Sequence, residues 1–103
     1  TRLKFLNKLS IVFFGTPDFS VPTLRALVAA GHNIVSVYTQ PPRPSGRGQK
    51  IHKSPIHIVA DQNSIDVRTP SSLRSEDQIN QLTKLRADVC VVVAYGKILP
   101  WMY

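Results

Sequence analysis

The sequence predicts an α/β fold in which a parallel sheet is flanked by helices. Three observations carry that expectation. The apolar, β-branched and aromatic run Leu9–Phe14 (LSIVFF) stops at Gly15, the pattern of a strand buried on both faces. A stretch with apolar residues at helical spacing follows, and then Ile34–Thr39 (IVSVYT) alternates and is β-rich. Strand, helix and strand within about 30 residues make a βαβ unit, whose crossover should be right-handed. Much later, Val89–Ala94 (VCVVVA) reads as the clearest buried strand in the chain.

Between these runs each element has its own local reason. Thr16-Pro17-Asp18 turns the chain after the first strand, and Asp18 or Ser20 is placed to cap a helix. Pro22 is tolerable only in that helix's first turn, Leu24, Leu27 and Val28 form its stripe, and Gly31 is its stop. Ser54 or Pro55 opens a short helix reaching about Gln62, with Ile56, Val59 and Ala60 on its apolar side. Ile65–Thr69 is a brief strand closed by Pro70. Ser75, Glu76 and Asp77 start a further helix, because acids there meet the positive end of its dipole. Ile79, Leu82 and Leu85 should face the core, with Lys84 and Arg86 near the C-terminus. No repeat and no low-complexity tract interrupts the pattern.

The chain has 103 residues, which is one domain or part of one, and a formal charge of +7. That excess favours a polyanionic partner. It is densest in Gln40–Lys53 (QPPRPSGRGQKIHK), which carries Arg43, Arg47, Lys50 and Lys53, while no acid occurs between Asp18 and Asp61. A membrane surface would call for the charge on an amphipathic helix. Here it lies in a Pro/Gly loop, so nucleic acid is the better partner. The prolines stiffen the approach, and Gly46 and Gly48 leave the backbone around Arg47 free to bend. A guanidinium so placed donates in pairs to a phosphate or a base edge. The plain alternative is a solvated loop.

Several function classes are excluded or weak. No apolar run approaches the roughly 18 residues of a membrane span, and TRLKFLNKL lacks the h-region and cleavage site of a signal peptide. Cys90 is the only cysteine, which rules out a disulfide within the chain; among valines it reads as a buried hydrophobe in a reducing, cytoplasmic setting. His32, His52 and His57 have no metal-site spacing and are expected on the surface, with His52 and His57 near enough to assist the basic loop. FFGTPDF stands where dinucleotide-binding proteins carry G-x-G-x-x-G, yet only Gly15 is present and Pro17 removes a donor. Asp18 reads as a helix cap in preference to a general base.

Ligands of parallel sheets sit outside the carboxyl ends of the strands. Those ends are 15–19, 39–53 and 95–100, so everything unusual in the chain falls on one edge. AYGKILPW (94–101) is either a plain strand exit packing Ile98 and Leu99, or an apolar wall suited to a flat heteroaromatic ligand.

Taken together, Phe14-Gly15-Thr16-Pro17-Asp18-Phe19, Gly31-His32, TQPPRPSGRGQK with Ser54-Pro55, and Ala87-Asp88 leading into VVVAYGKILP resemble the methionyl-tRNA formyltransferase family. The match runs in order over nearly the whole chain after its first nine residues, and the GRG-bearing loop is its discriminating part. The resemblance implies a Rossmann-like catalytic domain, of which residues 1–103 are the N-terminal part. The rest of that domain and a C-terminal tRNA-binding β-barrel would lie outside the sequence. It implies formyl transfer from 10-formyltetrahydrofolate to the amino group of methionyl initiator tRNA, by a cytoplasmic protein that is a monomer at full length. Residue by residue, it implies tRNA contacts at Arg43, Arg47 and Lys50, and a folate pocket lined by Tyr95, Gly96, Ile98, Leu99 and Pro100. Phe19 would touch the methionyl side chain. The family's catalytic Asn, His and Asp are expected beyond Tyr103 and have no counterpart among these residues. No catalytic residue is therefore assigned, and the chain alone is expected to be inactive. Two rivals stand beside this reading: a non-catalytic RNA-binding α/β module, and a folate-dependent formyltransferase for a small-molecule amine.

Overall fold

The computed structural model describes residues 8–45, 48 and 50–96. In chain order they form β1 (Ser10–Gly15), α1 (Val21–Ala29), β2 (Asn33–Tyr38), β3 (Arg43–Ser45), β4 (Lys50–His52), α2 (Pro55–Gln62), β5 (Val67–Arg68), α3 (Glu76–Lys84) and β6 (Val89–Val93). A four-stranded sheet has the order β5-β2-β1-β6, and each of its pairings is parallel. Strand, helix and strand alternate as the sequence predicts.

β1 lies at the centre because both its faces are apolar. Successive strand residues point to opposite sides, and the core divides accordingly. Val12 and Phe14 join Tyr38, Leu73 and Tyr95 on one side, with Leu82 and Leu85 near α3 packed against them. Phe13 joins Val37, Leu24 of α1 and Ile56, Val59 and Ala60 of α2 on the other. Ile11, Val12, Phe13 and Phe14 are all at most 1% exposed. Each side chain of that size stabilises the fold by about 1.5–3 kcal/mol on burial.

The helix starts follow local chemistry in two cases out of three. Ser54 accepts from the His57 N–H at 3.1 Å and caps α2, and Ser75 accepts from the Gln78 N–H at 3.1 Å and caps α3. Such caps are worth about 1 kcal/mol each. At α1 the expectation fails. A short 3-10 turn, Asp18–Ser20, leads straight into the helix, and neither Asp18 nor Ser20 makes a side-chain cap. Ser20 already has helical dihedrals, and its hydroxyl donates to the Val93 carbonyl at 2.7 Å instead. Pro22 does sit in the first turn, and Gly31 follows the helix with φ of +85°.

Three other expectations are corrected. Among the described residues β6 is not a buried strand: Val89 and Val92 are 40% and 43% exposed, and Cys90 is exposed. It is an edge strand, paired with β1 alone among the described residues. Ile79 points outward at 36% exposure, because α3 lies on the core only through its C-terminal half, where Leu82 packs, and through Leu85 just beyond it. The strand expected over Ile65–Thr69 shrinks to the two residues of β5. The basic stretch also has more order than a loop. β3 and β4 pair antiparallel, with Arg43 opposite His52, Pro44 opposite Ile51 and Ser45 opposite Lys50.

Candidate functional site

The chain leaves β1 toward β2 on one side and reaches β6 on the other, so the strand order reverses at β1. A parallel sheet opens a crevice at such a reversal, outside the strands' carboxyl ends. Here the walls of that crevice are the segment after β1, beginning Gly15-Thr16, and the turn after β6, Ala94-Tyr95-Gly96.

Close backbone approach brings those walls together. A Cβ on Gly15 would lie 3.0 Å from the Val93 carbonyl oxygen and 3.1 Å from the Ser20 Cβ, so only glycine fits without movement. Two residues of the facing turn hold left-handed dihedrals, Ala94 at φ of +52° and Gly96 at +92°. A non-glycine residue in that region is uncommon and costs of order 1–3 kcal/mol, and such positions concentrate at functional sites.

Polar side chains then stitch the edge. The Thr16 hydroxyl donates to the Tyr95 carbonyl at 2.8 Å and accepts from the Thr39 hydroxyl at 3.4 Å and from the Gln40 N–H at 3.3 Å. The Gln40 amide donates to the same Tyr95 carbonyl at 3.4 Å. Thr39 and Ser54 share a hydroxyl–hydroxyl bond of 2.7 Å. Sequence reasoning missed this group, although each hydroxyl stands next to the end of a strand or the start of a helix. Hydroxyls recurring at strand exits were the available clue.

Tyr95 serves the turn through its backbone. Its ring is 2% exposed and packs edge-on to Phe14, with centroids 5.3 Å apart, so the side chain belongs to the core. Burial, with help from neighbouring Tyr38, pushes its phenol up to about 12. Gln40 Oε1 and the Tyr95 hydroxyl are buried and have no partner among the described residues. Gly96 is exposed, and a side chain there would collide with the Gln40 amide. Of the residues assigned to the folate pocket, Tyr95 and Gly96 come together here, whereas Ile98, Leu99 and Pro100 lie outside the described residues. So does Tyr103, the residue beyond which the catalytic Asn, His and Asp are expected.

The β3–β4 ribbon rises from the same edge, between Gln40 and Ser54. Residues directly opposite on an antiparallel pair share a face. Arg43, Lys50 and His52 therefore lie on one face, and Pro44 and Ile51 on the other. Arg43 and Lys50 are exposed, and neither pairs with a carboxylate among the described residues. Lys53 differs, since its ammonium sits 2.8 Å from Asp61 and is committed to α2. That bond holds the Asp61 carboxyl below its ordinary range. His57 is only 14% exposed on its side chain, contrary to the surface expected for it, and burial lowers its pKa against the opposing pull of Asp61. Arg47 lies outside the described residues.

Phe19, in the 3-10 turn after β1, is 69% exposed, a large aromatic with little covering it among the described residues. Beside it, Asp18, Pro22, Arg25, Pro55, Ile58 and Gln62 line an open groove of about 420 Å³ between α1 and α2. Another hollow, about 590 Å³ and lined by His32, Asn33 and Asp66, lies at the opposite end of the sheet from these features. Among the described residues no cluster of His, Cys, Asp and Glu is suited to a metal ion, and no helix is long and apolar enough to cross a membrane.

Known proteins share this pattern of residues. The formyl transferase family model matches residues 8–102. The chain is 59% identical over 92 residues to a methionyl-tRNA formyltransferase of Novosphingobium aromaticivorans, covering 89% of this chain and 31% of that protein. It is 59% identical over 93 residues to the protein of that name in Agrobacterium fabrum, and 59% identical over 92 residues to the one in Coxiella burnetii. These alignments cover 30% and 29% of the two relatives, so the chain spans less than a third of the length of the curated proteins it matches. With a family model matched over almost its whole length, the chain belongs to the formyl transferase family.

Proposed function

We propose that this chain is the N-terminal part of a catalytic domain that moves a formyl group from 10-formyltetrahydrofolate to the amino group of methionyl initiator tRNA. In the reaction the amine nitrogen bonds to the formyl carbon, the bond from that carbon to the folate nitrogen breaks, and the proton that the amine gives up is balanced by one taken up on the leaving folate nitrogen. The chain's own share is binding and placement. The Ala94–Gly96 turn and Gln40 hold the folate ring system, with Ile98, Leu99 and Pro100 completing its wall. Arg43, Arg47 and Lys50 grip the RNA backbone, and Phe19 meets the methionyl side chain. The groups that assist bond-making, an Asn, a His and an Asp, fall beyond Tyr103, as does a C-terminal β-barrel that shares the hold on tRNA. The longer protein acts in the cytoplasm as a monomer.

One observation carries this reading: a ribbon whose cationic face pairs with no carboxylate among the described residues stands on the same sheet edge as the strained turn. A formyltransferase for a small amine has no use for such a ribbon, because its acceptor ends within the crevice.

The test uses the longest natural form of the protein with Arg43→Ala and Lys50→Ala combined. Use of methionyl-tRNA should weaken, and the slope of log affinity against log salt should fall by about 0.7–0.9 for each phosphate no longer neutralised. Binding of 10-formyltetrahydrofolate should stay within about twofold, a change of less than 0.5 kcal/mol. Unchanged use of tRNA would favour the small-amine enzyme. Salt-dependent RNA binding by a full-length protein that never transfers formyl would favour the RNA-binding module.

A further inference from the structure

The hydroxyls of Ser54, Thr39 and Thr16 form a chain that ends on a backbone carbonyl. Ser54 accepts from the His57 N–H and shares a bond of 2.7 Å with Thr39 in which either hydroxyl can donate. Thr39 reaches on to Thr16 at 3.4 Å, and Thr16 donates to the Tyr95 carbonyl. The start of α2, Ser54, Thr39, Thr16 and Tyr95 are thus joined in one series, and bonds in such a series support one another. Thr39 is fully buried, which leaves water little room to replace a missing link.

The ends of this series are telling. Ser54 marks where the ribbon's returning leg becomes α2, and Thr39 with Gln40 marks where its outgoing leg leaves β2. The terminal acceptor is the carbonyl of the strained turn. Both feet of the ribbon are thus tied to each other and, through Thr16 and Gln40, to the opposite wall of the crevice. We propose that the Ser54–Thr39–Thr16 hydroxyl series is a positioning device that holds the basic ribbon at a fixed setting relative to the Tyr95–Gly96 turn, so that an RNA gripped by one presents its end to the ligand held by the other. This rests on the functional reading above. Thr16 and Thr39 are positioning residues in it; neither needs to touch the reacting atoms.

The test compares Thr39→Val, which keeps the branched shape and loses the hydroxyl, with Thr39→Ser, which keeps the hydroxyl. Ser36→Ala is the control, since Ser36 is equally buried in β2 but donates to Asp66, away from the series. In the longest natural form, Thr39→Val should lower kcat/KM for methionyl-tRNA about tenfold, while Thr39→Ser and Ser36→Ala stay within about twofold. Binding of 10-formyltetrahydrofolate to the free protein should not move beyond about twofold in any of them. Hydrogen exchange should quicken together at the Gln40 and His57 amides in Thr39→Val and in neither other variant. If Thr39→Val does not fold, Thr16→Val removes the next link at a less buried site and reads the same quantities. Equal losses in Thr39→Val and Thr39→Ser, or a Thr39→Val no worse than Ser36→Ala, would overturn the inference. If the Arg43/Lys50 double variant also leaves tRNA use intact, the RNA reading has failed and takes this inference with it. If that double variant weakens tRNA use and Thr39→Val does not, the positioning role alone is wrong.

Discussion

β1 and the β3–β4 ribbon are both strand structures, yet they are held by opposite means. β1 is paired on both edges and apolar on both faces, and Ile11 through Phe14 are essentially out of water. The ribbon has three paired positions, exposed side chains throughout its second strand, and a cationic face with no acid opposite it among the described residues. One region derives its stability from packing. The other derives its place from a few hydrogen bonds at its feet and leaves its side chains free to meet a partner. On the function proposed above, stability and recognition are therefore separable, and a substitution should disturb one region's property without the other's.

The largest separation is expected from Phe13→Ala. It empties a fully buried site between α1, α2 and the sheet and should cost about 3–5 kcal/mol in urea unfolding. A loss below about 1 kcal/mol would mean that the α1–α2 face is not the packed core described. Gly15→Ala comes next, since its added methyl meets the Val93 carbonyl and Ser20 and should cost about 1–3 kcal/mol. A neutral result would show that the two walls of the crevice part easily, which would weaken the contrast with the ribbon. The dependence on pH should be smaller. His57 has a folded pKa held below its ordinary value of 6.5, mainly by burial. Its contribution is complete above about pH 6.5 and is lost as pH falls through that value toward the folded pKa. The urea midpoint should thus drop between about pH 7.5 and 5.5, and His57→Gln should flatten that part of the profile. A profile unchanged in the variant would assign the acid sensitivity elsewhere. Least of all, Arg43→Ala with Lys50→Ala should shift folding stability by less than about 0.5 kcal/mol while weakening RNA use. A stability loss as large as that of Gly15→Ala would break the comparison, because the ribbon would then be part of the framework.

What could be read from the sequence follows the same division. β1, β2 and the starts of α2 and α3 were legible because their causes are local: an apolar run, a Ser three residues before the amide it caps. β6 misled because VCVVV states that a strand is apolar but not how much of it the described residues cover, and among them Cys90 is exposed. The ribbon read as a loop since three prolines and two glycines hide two pairing segments of three residues each. The edge itself was legible because the exits of β1, β2 and β6 could be located. The hydroxyl series was not, as its bonds join positions up to 79 residues apart, and the hydroxyls at strand exits that hint at it do not name their partners. The same distance explains Ser20, which looked like a cap and instead reaches β6, 73 residues on.

The place of β1 in the sheet also has a consequence in time. Its partner on one side lies close in the chain, as the Leu9–His32 contact at a separation of 23 shows, whereas the Ser10–Asp88 contact on the other side spans 78. A ribosome adding about 5–20 residues per second would deliver the second partner several seconds after the first. Through that interval the most buried of the described strands keeps one row of amides and carbonyls open to any other strand. The chain is born with its middle as its margin.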